Sequence, residues 1–258
     1  MEQKRKENAT VLSQREIAPD IYDMWIGTSL AGQGKPGQFI VVYPKAESTL
    51  LPRPISICEI DREGGRLRIV YRIAGKGTRE FSQYGVGEKI SVMGTLGNGF
   101  PLKASEGKEA ILIGGGIGIP PMLQLAKELS GKKQLVMGYR DSHLFLKEDL
   151  ETHGTFYTAT EDGSVGTKGN VIDAIKERRV KGGVIYACGP MPMLRAIKRY
   201  AQEQDIRAYL SLEERMACGV GACLGCVCRT VKTDGHSHVN NTRICTDGPV
   251  FEAKEVDI

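Results

Sequence analysis

Residues Ala110-Ile-Leu-Ile-Gly-Gly-Gly-Ile-Gly-Ile-Pro-Pro-Met122 decide how the middle of this 258-residue chain folds. The run Ala110 to Ile113 is apolar on both faces, which suits a strand buried inside a parallel sheet. Gly114, Gly115, Gly116 and Gly118 follow at once, and a helix is expected over Met122 to Leu129. Strand, glycine turn and helix form the context in which a backbone can approach a dinucleotide pyrophosphate. The third position of that pattern is Pro121 and not glycine; proline suits a first helical turn, where the missing N–H is no loss.

Downstream the pattern repeats. Strands are expected at Gln134 to Tyr139, Thr155 to Thr160, Gly183 to Ala187 and Ala208 to Leu212, separated by helices near Lys147 to Glu151, Asn170 to Arg178 and Met193 to Gln202. Such alternation implies a doubly wound parallel sheet that binds ligands at the carboxyl ends of its strands. Two loops fall there: Glu161 to Ser164 with Gly166 to Gly169, and the turn Cys188-Gly189-Pro190. Near Tyr139, Asp141 suits a ribose diol and Arg140 a 2′-phosphate, so the residues alone leave NADH and NADPH open.

Upstream, short β-prone runs (Ala9 to Ile17, Ile21 to Thr28, Gln38 to Val42, Ile55 to Ile60, Arg66 to Ile73, Lys89 to Met93) alternate with glycine and proline turns. Their spacing argues for an antiparallel barrel. Arg53-Pro54-Ile55-Ser56 and the later stretch Val70-Tyr71-Arg72 to Gly77-Thr78 resemble the flavin motifs of the ferredoxin reductase family. That resemblance implies an FAD, with Arg53 on its pyrophosphate, Ser56 beside flavin N5, and a short helix over Arg79 to Tyr84 whose N-terminus faces the phosphates. The glycine loop Gly94 to Pro101 reads equally as a cofactor contact or as an inter-domain turn. Cys58 reads as core.

The last stretch carries the most specific spacing. Cys218-Gly-Val-Gly-Ala-Cys223-Leu-Gly-Cys226, with Cys245 further on, matches the four-thiolate pattern of a plant-type [2Fe–2S] centre. Its glycines allow left-handed turns that aim amide N–H groups at the sulfurs. A zinc site usually shows two Cys-x2-Cys knuckles, and only Cys223 and Cys226 form one. Disulfides suit neither seven cysteines nor a chain without an export signal. Cys228 shares a strand face with Cys226 and stays open as a substitute ligand, although a buried small side chain is the simpler reading. His236 and His238 follow Asp234-Gly235 and read as a hairpin tip, not as Rieske ligands. Met216, Ala217, Val220, Ala222 and Leu224 give the loop an apolar surface suited to docking.

Composition bounds the rest. With 35 Lys and Arg against 31 Asp and Glu and no long basic run, nothing argues for nucleic acid. The charged N-terminus is no secretory signal and no apolar run reaches membrane length, so a cytoplasmic location and no membrane contact are expected. The expected organisation is a flavin barrel over 1–103, a nucleotide domain over 104–210 and a cluster domain over 211–258. In this order the chain resembles the family of electron transfer subunits of the bacterial, NAD-linked dihydroorotate dehydrogenases. The resemblance implies FAD, a [2Fe–2S] cluster and NAD as cofactors, Ser56 and Cys188 near the reacting atoms, and NADH over NADPH. It also implies an FMN-containing catalytic subunit as partner, in a heterotetramer of two subunits of each kind, acting in pyrimidine synthesis. A reductase serving a glutamate synthase-like or hydrogenase-like partner, or a redox sensor, are the alternatives.

Overall fold

The computed structural model describes residues 5–46, 49–233 and 238–258. Alternating apolar residues near the N-terminus make six antiparallel strands: β1 (Arg5–Ala18), β2 (Ile21–Gly27), β3 (Phe39–Tyr43), β4 (Arg53–Asp61), β5 (Arg66–Arg72) and β6 (Lys89–Leu96). They close into a barrel in the order β1-β2-β5-β4-β3-β6. One face of the alternation, including Met24, Ile26, Ile40, Val42, Ile57, Leu67 and Ile69, fills the interior. β1 starts earlier than its apolar run because the ladder to β6 continues through the polar residues from Thr10↔Lys89 to Arg5↔Gly94. The short helix α1 (Lys76–Phe81) lies between β5 and β6, three residues ahead of the expected Arg79 start. The Thr78 hydroxyl accepts from the Ala74 and Gly75 N–H groups and so begins the helix early.

The middle of the chain alternates as anticipated except at β10, a two-residue strand within the expected loop Gly166 to Gly169: β7 (Ala110–Gly115), α2 (Pro120–Glu128), β8 (Lys133–Tyr139), α3 (Lys147–Glu151), β9 (Thr155–Thr160), β10 (Thr167–Lys168), α4 (Val171–Glu177), β11 (Val184–Cys188), α5 (Met191–Glu203) and β12 (Arg207–Ser211). Asn170 and Asp173 form a reciprocal cap at the start of α4. The C-terminal region contributes β13 (Val227–Arg229), β14 (Asn241–Arg243) and β15 (Val250–Glu252). Sheet order is β10-β9-β8-β7-β11-β12-β15, parallel except for β15, so the order reverses between β7 and β11. The added edge strand was not expected: the chain leaves the sheet at Ser211, forms the cysteine loop, and returns to cover the edge of β12.

These parts share cores. Helix α2 is wedged between β4 and the sheet, which buries Pro120 through Ala126 on every side. The outward residues Cys58 and Val70 of the barrel pack with Met122, Leu123 and Leu112. Met216, Cys226, Ile244 and Cys245 join Phe39, Val41 and Leu96 of the barrel in a second shared core. Among the described residues no helix is long and apolar enough to cross a membrane.

Candidate functional site

The carboxyl ends of β7 and β11 lie side by side, and the turn that follows β7 approaches β5 of the barrel. Register places Cys188 beside Gly114, which brings the two turns expected from sequence into contact. A Cβ on Gly118 would stand 2.3 Å from the Cys188 carbonyl oxygen and 2.5 Å from the Gly189 nitrogen. One on Gly115 would meet Met193 Sδ at 2.4 Å, and one on Gly114 would meet Met137 Sδ at 2.8 Å. These glycines, with Gly189 against the Met193 methyl, let two turns pack together; Gly116 differs, with φ +52° and open space beside it. Pro120 and Pro121 are the first two residues of α2, and Pro190 caps α5. Burial pushes the Cys188 thiol up to about 12, a hydrogen bond with Ser211 offsetting part of this and Glu213 adding to it. Cys188 is therefore a neutral thiol at physiological pH.

On β4 the side chains alternate. Ile55 and Ile57 turn into the barrel, while Ser56 and Cys58 turn outward, Cys58 into the core shared with α2. Burial raises the Cys58 thiol well above its usual range, which leaves it inert packing. Pro54 and Ser56 pair with Val41 and Phe39 of β3. Arg53 lies against α1: a Cβ on Gly77 would be 3.0 Å from its Nε, and its Nη1 donates to Leu51 O at 2.6 Å. The other expected flavin residues divide between backbone and side chain. Val70 belongs to the shared core and Arg72 is exposed at the end of β5. Tyr71 is buried; its hydroxyl donates to Gln14 Oε1 at 2.8 Å and its ring stacks on Tyr22, so only its backbone faces outward. Thr78 uses its hydroxyl in the cap described above.

The cysteine loop packs on β3 and β6, where Gly219 lies against Val41, Leu96 and Met93. Left-handed turns at Gly219 (φ +69°), Gly221 (φ +83°) and Leu224 (φ +55°) wrap it tightly. Val220 N–H donates to Cys218 Sγ and Gly225 N–H to Cys223 Sγ, each at 3.4 Å. Cys218 interacts with the neighbouring Cys223, and Cys245 interacts with both Cys226 and Cys218. Burial raises the Cys218 thiol, but amide N–H groups of Val220, Cys223 and Ala222 outweigh it and hold Cys218 at about 6. Cys245 is pushed up to about 11 by burial and by Cys226. Among the described residues no three His, Cys, Asp or Glu side chains surround a single point. Cys228 sits on β13 opposite Thr242, pushed up to about 11 mainly by burial. His236 lies outside the described residues, and His238 is exposed. One expectation needs correcting: Met216 is buried in the core, because the chain entering the loop still packs against the sheet; Ala217, Val220, Ala222 and Leu224 are exposed as expected.

Residues 213–257 match the iron–sulfur cluster binding domain of dihydroorotate dehydrogenase B, and residues 112–199 match the oxidoreductase NAD-binding domain. A Bacillus caldolyticus protein named dihydroorotate dehydrogenase B (NAD(+)), electron transfer subunit, is 45% identical over 97% of this chain and 98% of its own. A Geobacillus protein of the same name is 43% identical over 98% of both chains. This chain belongs to that family. A solved NADH-dependent reduced ferredoxin-NADP oxidoreductase has a similar structure, with TM-score 0.86 and 29% identity over 97% of this chain and 90% of that one. A Neisseria gonorrhoeae ferredoxin NADP+ reductase with bound FAD and NADP shares the fold at TM-score 0.65 and 17% identity, over 77% of this chain and 91% of that one.

In this member of the electron transfer subunit family, the residues that join the parts were not foreseen from sequence. Arg68, buried on the outer barrel face, grips Asp23 through two bonds (Nε at 2.8 Å, Nη2 at 2.9 Å). Its Nη1 reaches Glu59 at 3.1 Å and Asp149 of α3 at 2.9 Å. Burial opposes the guanidinium charge, but Asp23 and its neighbours more than compensate, so Arg68 stays charged. Gln124 of α2 accepts the Ile60 N–H at 2.7 Å. Asn98 and Gln38 do comparable work beside the cysteine loop.

Proposed function

We propose that this chain passes electrons between NAD+ and the FMN of a separate dihydroorotate-oxidising subunit, by way of FAD and a [2Fe–2S] cluster. The observation that carries the reading is a loop of four cysteines, with amide N–H groups aimed at Cys218 and Cys223 Sγ, packed on β3 and β6 of the barrel in the same chain as a parallel nucleotide-binding sheet. The Cys-x4-Cys-x2-Cys spacing with a distant Cys245 suits a [2Fe–2S] centre better than zinc, which usually takes two Cys-x2-Cys knuckles, and those amide N–H groups suit the cluster's negative charge.

Cys218, Cys223, Cys226 and Cys245 hold the cluster, and Cys228 does not. Arg53 holds the FAD pyrophosphate, with the backbone of Val70 to Arg72 and of Gly77 and Thr78 along the same cofactor. Pro54 and Ile55 fix the strand so that the Ser56 hydroxyl serves flavin N5. Gly116 and the turn Gly114 to Gly118 receive the nicotinamide nucleotide, and Cys188-Gly189-Pro190 closes the crevice next to the flavin. Cys188, as a neutral thiol, packs and orients without taking a proton. Bound FAD supplies the exchange of a hydride with nicotinamide and of single electrons with the cluster. The chain itself contributes position, charge and exclusion of water, with no acid or base step.

The exposed apolar collar of Val220 and Leu224 supports docking of a partner at the cluster. The partner is an FMN-containing catalytic subunit, two of each forming a heterotetramer in the cytoplasm. The test is reconstitution. Alone, the cofactor-loaded chain should reduce dyes with NADH and leave dihydroorotate untouched; adding the FMN subunit should couple dihydroorotate oxidation to NAD+ reduction. Dihydroorotate oxidation by this chain alone would sink the division of labour, and coupling only to a glutamate synthase-like or hydrogenase-like partner would replace the substrate. Serine at Cys218, Cys223, Cys226 or Cys245 should abolish the visible cluster absorption, while Cys228→Ser should retain it. The opposite pattern would overturn the ligand set.

A further inference from the structure

The loop at Gly97 and Asn98 grips the chain immediately beyond Cys245. The Asn98 N–H donates to Gly248 O at 2.7 Å. Its side-chain Nδ2 donates to Asp247 O at 3.0 Å and Val250 O at 2.8 Å, and its Oδ1 accepts the Val250 N–H at 3.2 Å. Gly97 makes room for this with φ +81°; a Cβ there would lie 2.4 Å from Pro249 Cδ and 2.8 Å from Gly248 O.

The other end of the loop leads back to the flavin strand. Gly97 O accepts from Gln38 Nε2 at 2.7 Å, and Gln38 is buried. The Gln38 carbonyl accepts the N–H of Ile57, the residue after Ser56, at 3.0 Å. Phe39 pairs with Ser56 and places a ring atom 3.2 Å from where a Gly97 Cβ would be. An unbroken series of hydrogen bonds thus runs from Ser56-Ile57 through Gln38, Gly97 and Asn98 to residues 247–250.

We propose that Asn98, supported by Gln38, is a positioning residue for the one-electron step between FAD and the cluster; this rests on the roles given above to Ser56 and Cys245. In that step one electron leaves the flavin and enters the cluster, or the reverse, and no bond forms between them. The cysteine loop has little regular structure to hold it at a constant distance, and Asn98 fastens its far end to the barrel. The residue type fits. Two backbone carbonyls and one N–H must be satisfied together, and an amide side chain has both donors and an acceptor, whereas a carboxylate would set oxygen against oxygen.

The experiment compares the cofactor-loaded chain with Asn98→Ala and Asn98→Asp. Two rates are followed after mixing with NADH, loss of oxidised flavin absorption and appearance of the reduced-cluster spin resonance signal, and amide hydrogen exchange is read at Val250. Both variants should keep their FAD and cluster absorption. Val250 exchange should quicken roughly tenfold in Asn98→Ala, the order expected for a lost hydrogen bond or two. Cluster reduction should slow roughly tenfold, as a small misplacement can cost, and far more than flavin reduction does. Asn98→Asp retains size and the Val250 acceptor, so it reports on the two lost donations if the alanine variant folds poorly. Unchanged Val250 exchange, an unchanged cluster rate despite faster exchange, or equal slowing of both rates would each overturn the role of Asn98. A wild-type cluster that NADH never reduces would overturn the electron route itself, and the positioning role with it.

Discussion

The barrel meets its two neighbours through seams of different chemistry. Towards the parallel sheet it uses side chains: a core around Cys58, Val70 and Met122, with the Arg68 guanidinium shared among Asp23, Glu59 and Asp149. Towards the cysteine loop it adds to an apolar core around Phe39, Leu96 and Cys245 a set of backbone groups held by the neutral amide of Asn98, and glycines that allow close approach. The two transfers make different demands. A hydride moves only between atoms nearly in contact, about 3–3.5 Å apart, so the first seam must hold orientation as well as distance. A single electron needs constant spacing alone, which apolar packing and a neutral amide clamp on the backbone can supply.

The comparison can be broken most forcefully at Arg68. Arg68→Ala leaves Asp23, only 4% exposed, with Arg15 at 3.4 Å as its remaining cation. Removing one partner of a buried pair costs about 3–5 kcal/mol, and denaturant unfolding should show a loss of that order. NADH-driven flavin reduction should fall with it, while Val250 exchange stays near wild type. A loss below about 1 kcal/mol, the range of an exposed pair, would mean that apolar packing alone holds the seam.

Neither seam was legible in the sequence, although the motifs that flank them were. The cysteine spacing, the glycine turn and the strand-to-helix alternation are local patterns, and local patterns survive in a linear chain. Arg68 shows why the seam does not. Between Leu67 and Ile69, which point into the barrel, alternation assigns it to solvent, and only the packing of α2 and α3 on that face, with Asp149 81 residues away, makes it an interior. Asn98 is similar, since its partners are about 150 residues distant. Met216 was read as loop surface because it is close to Cys218 in sequence, yet it still follows the core of the sheet. The turn glycines show the same limit: pattern marks them all for nucleotide contact, and only the fold shows that Gly114, Gly115 and Gly118 also admit neighbouring protein atoms while Gly116 has open space beside it.

A matched pair of glycine substitutions sharpens the contrast at intermediate cost. Gly118→Ala forces a methyl against the Cys188 carbonyl, and Gly97→Ala forces one against Pro249 from a left-handed backbone. Overpacking of this kind costs about 1–3 kcal/mol, so thermal unfolding should drop for both. The kinetic signatures should separate: Gly118→Ala slows flavin reduction by NADH, and Gly97→Ala slows the later reduction of the cluster. Identical signatures would erase the distinction between the seams.

The smallest effect tests whether the first seam depends on buried charge or on its exposed rim. Lys127 of α2 pairs with Glu59 while one third exposed, and Glu59 keeps its bond to Arg68 Nη1 at 3.1 Å when the lysine is gone. The pair therefore resembles a surface ion pair, worth about 0–1 kcal/mol, and salt should screen it. Lys127→Ala should cost less than about 1 kcal/mol in unfolding free energy at low salt, with the difference shrinking as ionic strength rises. Arg68→Ala should stay strongly destabilised at every salt concentration, because its contact with Asp23 is closed to water. A Lys127→Ala loss that matches Arg68→Ala and persists in high salt would move the hold on the nucleotide domain from the buried guanidinium to the rim.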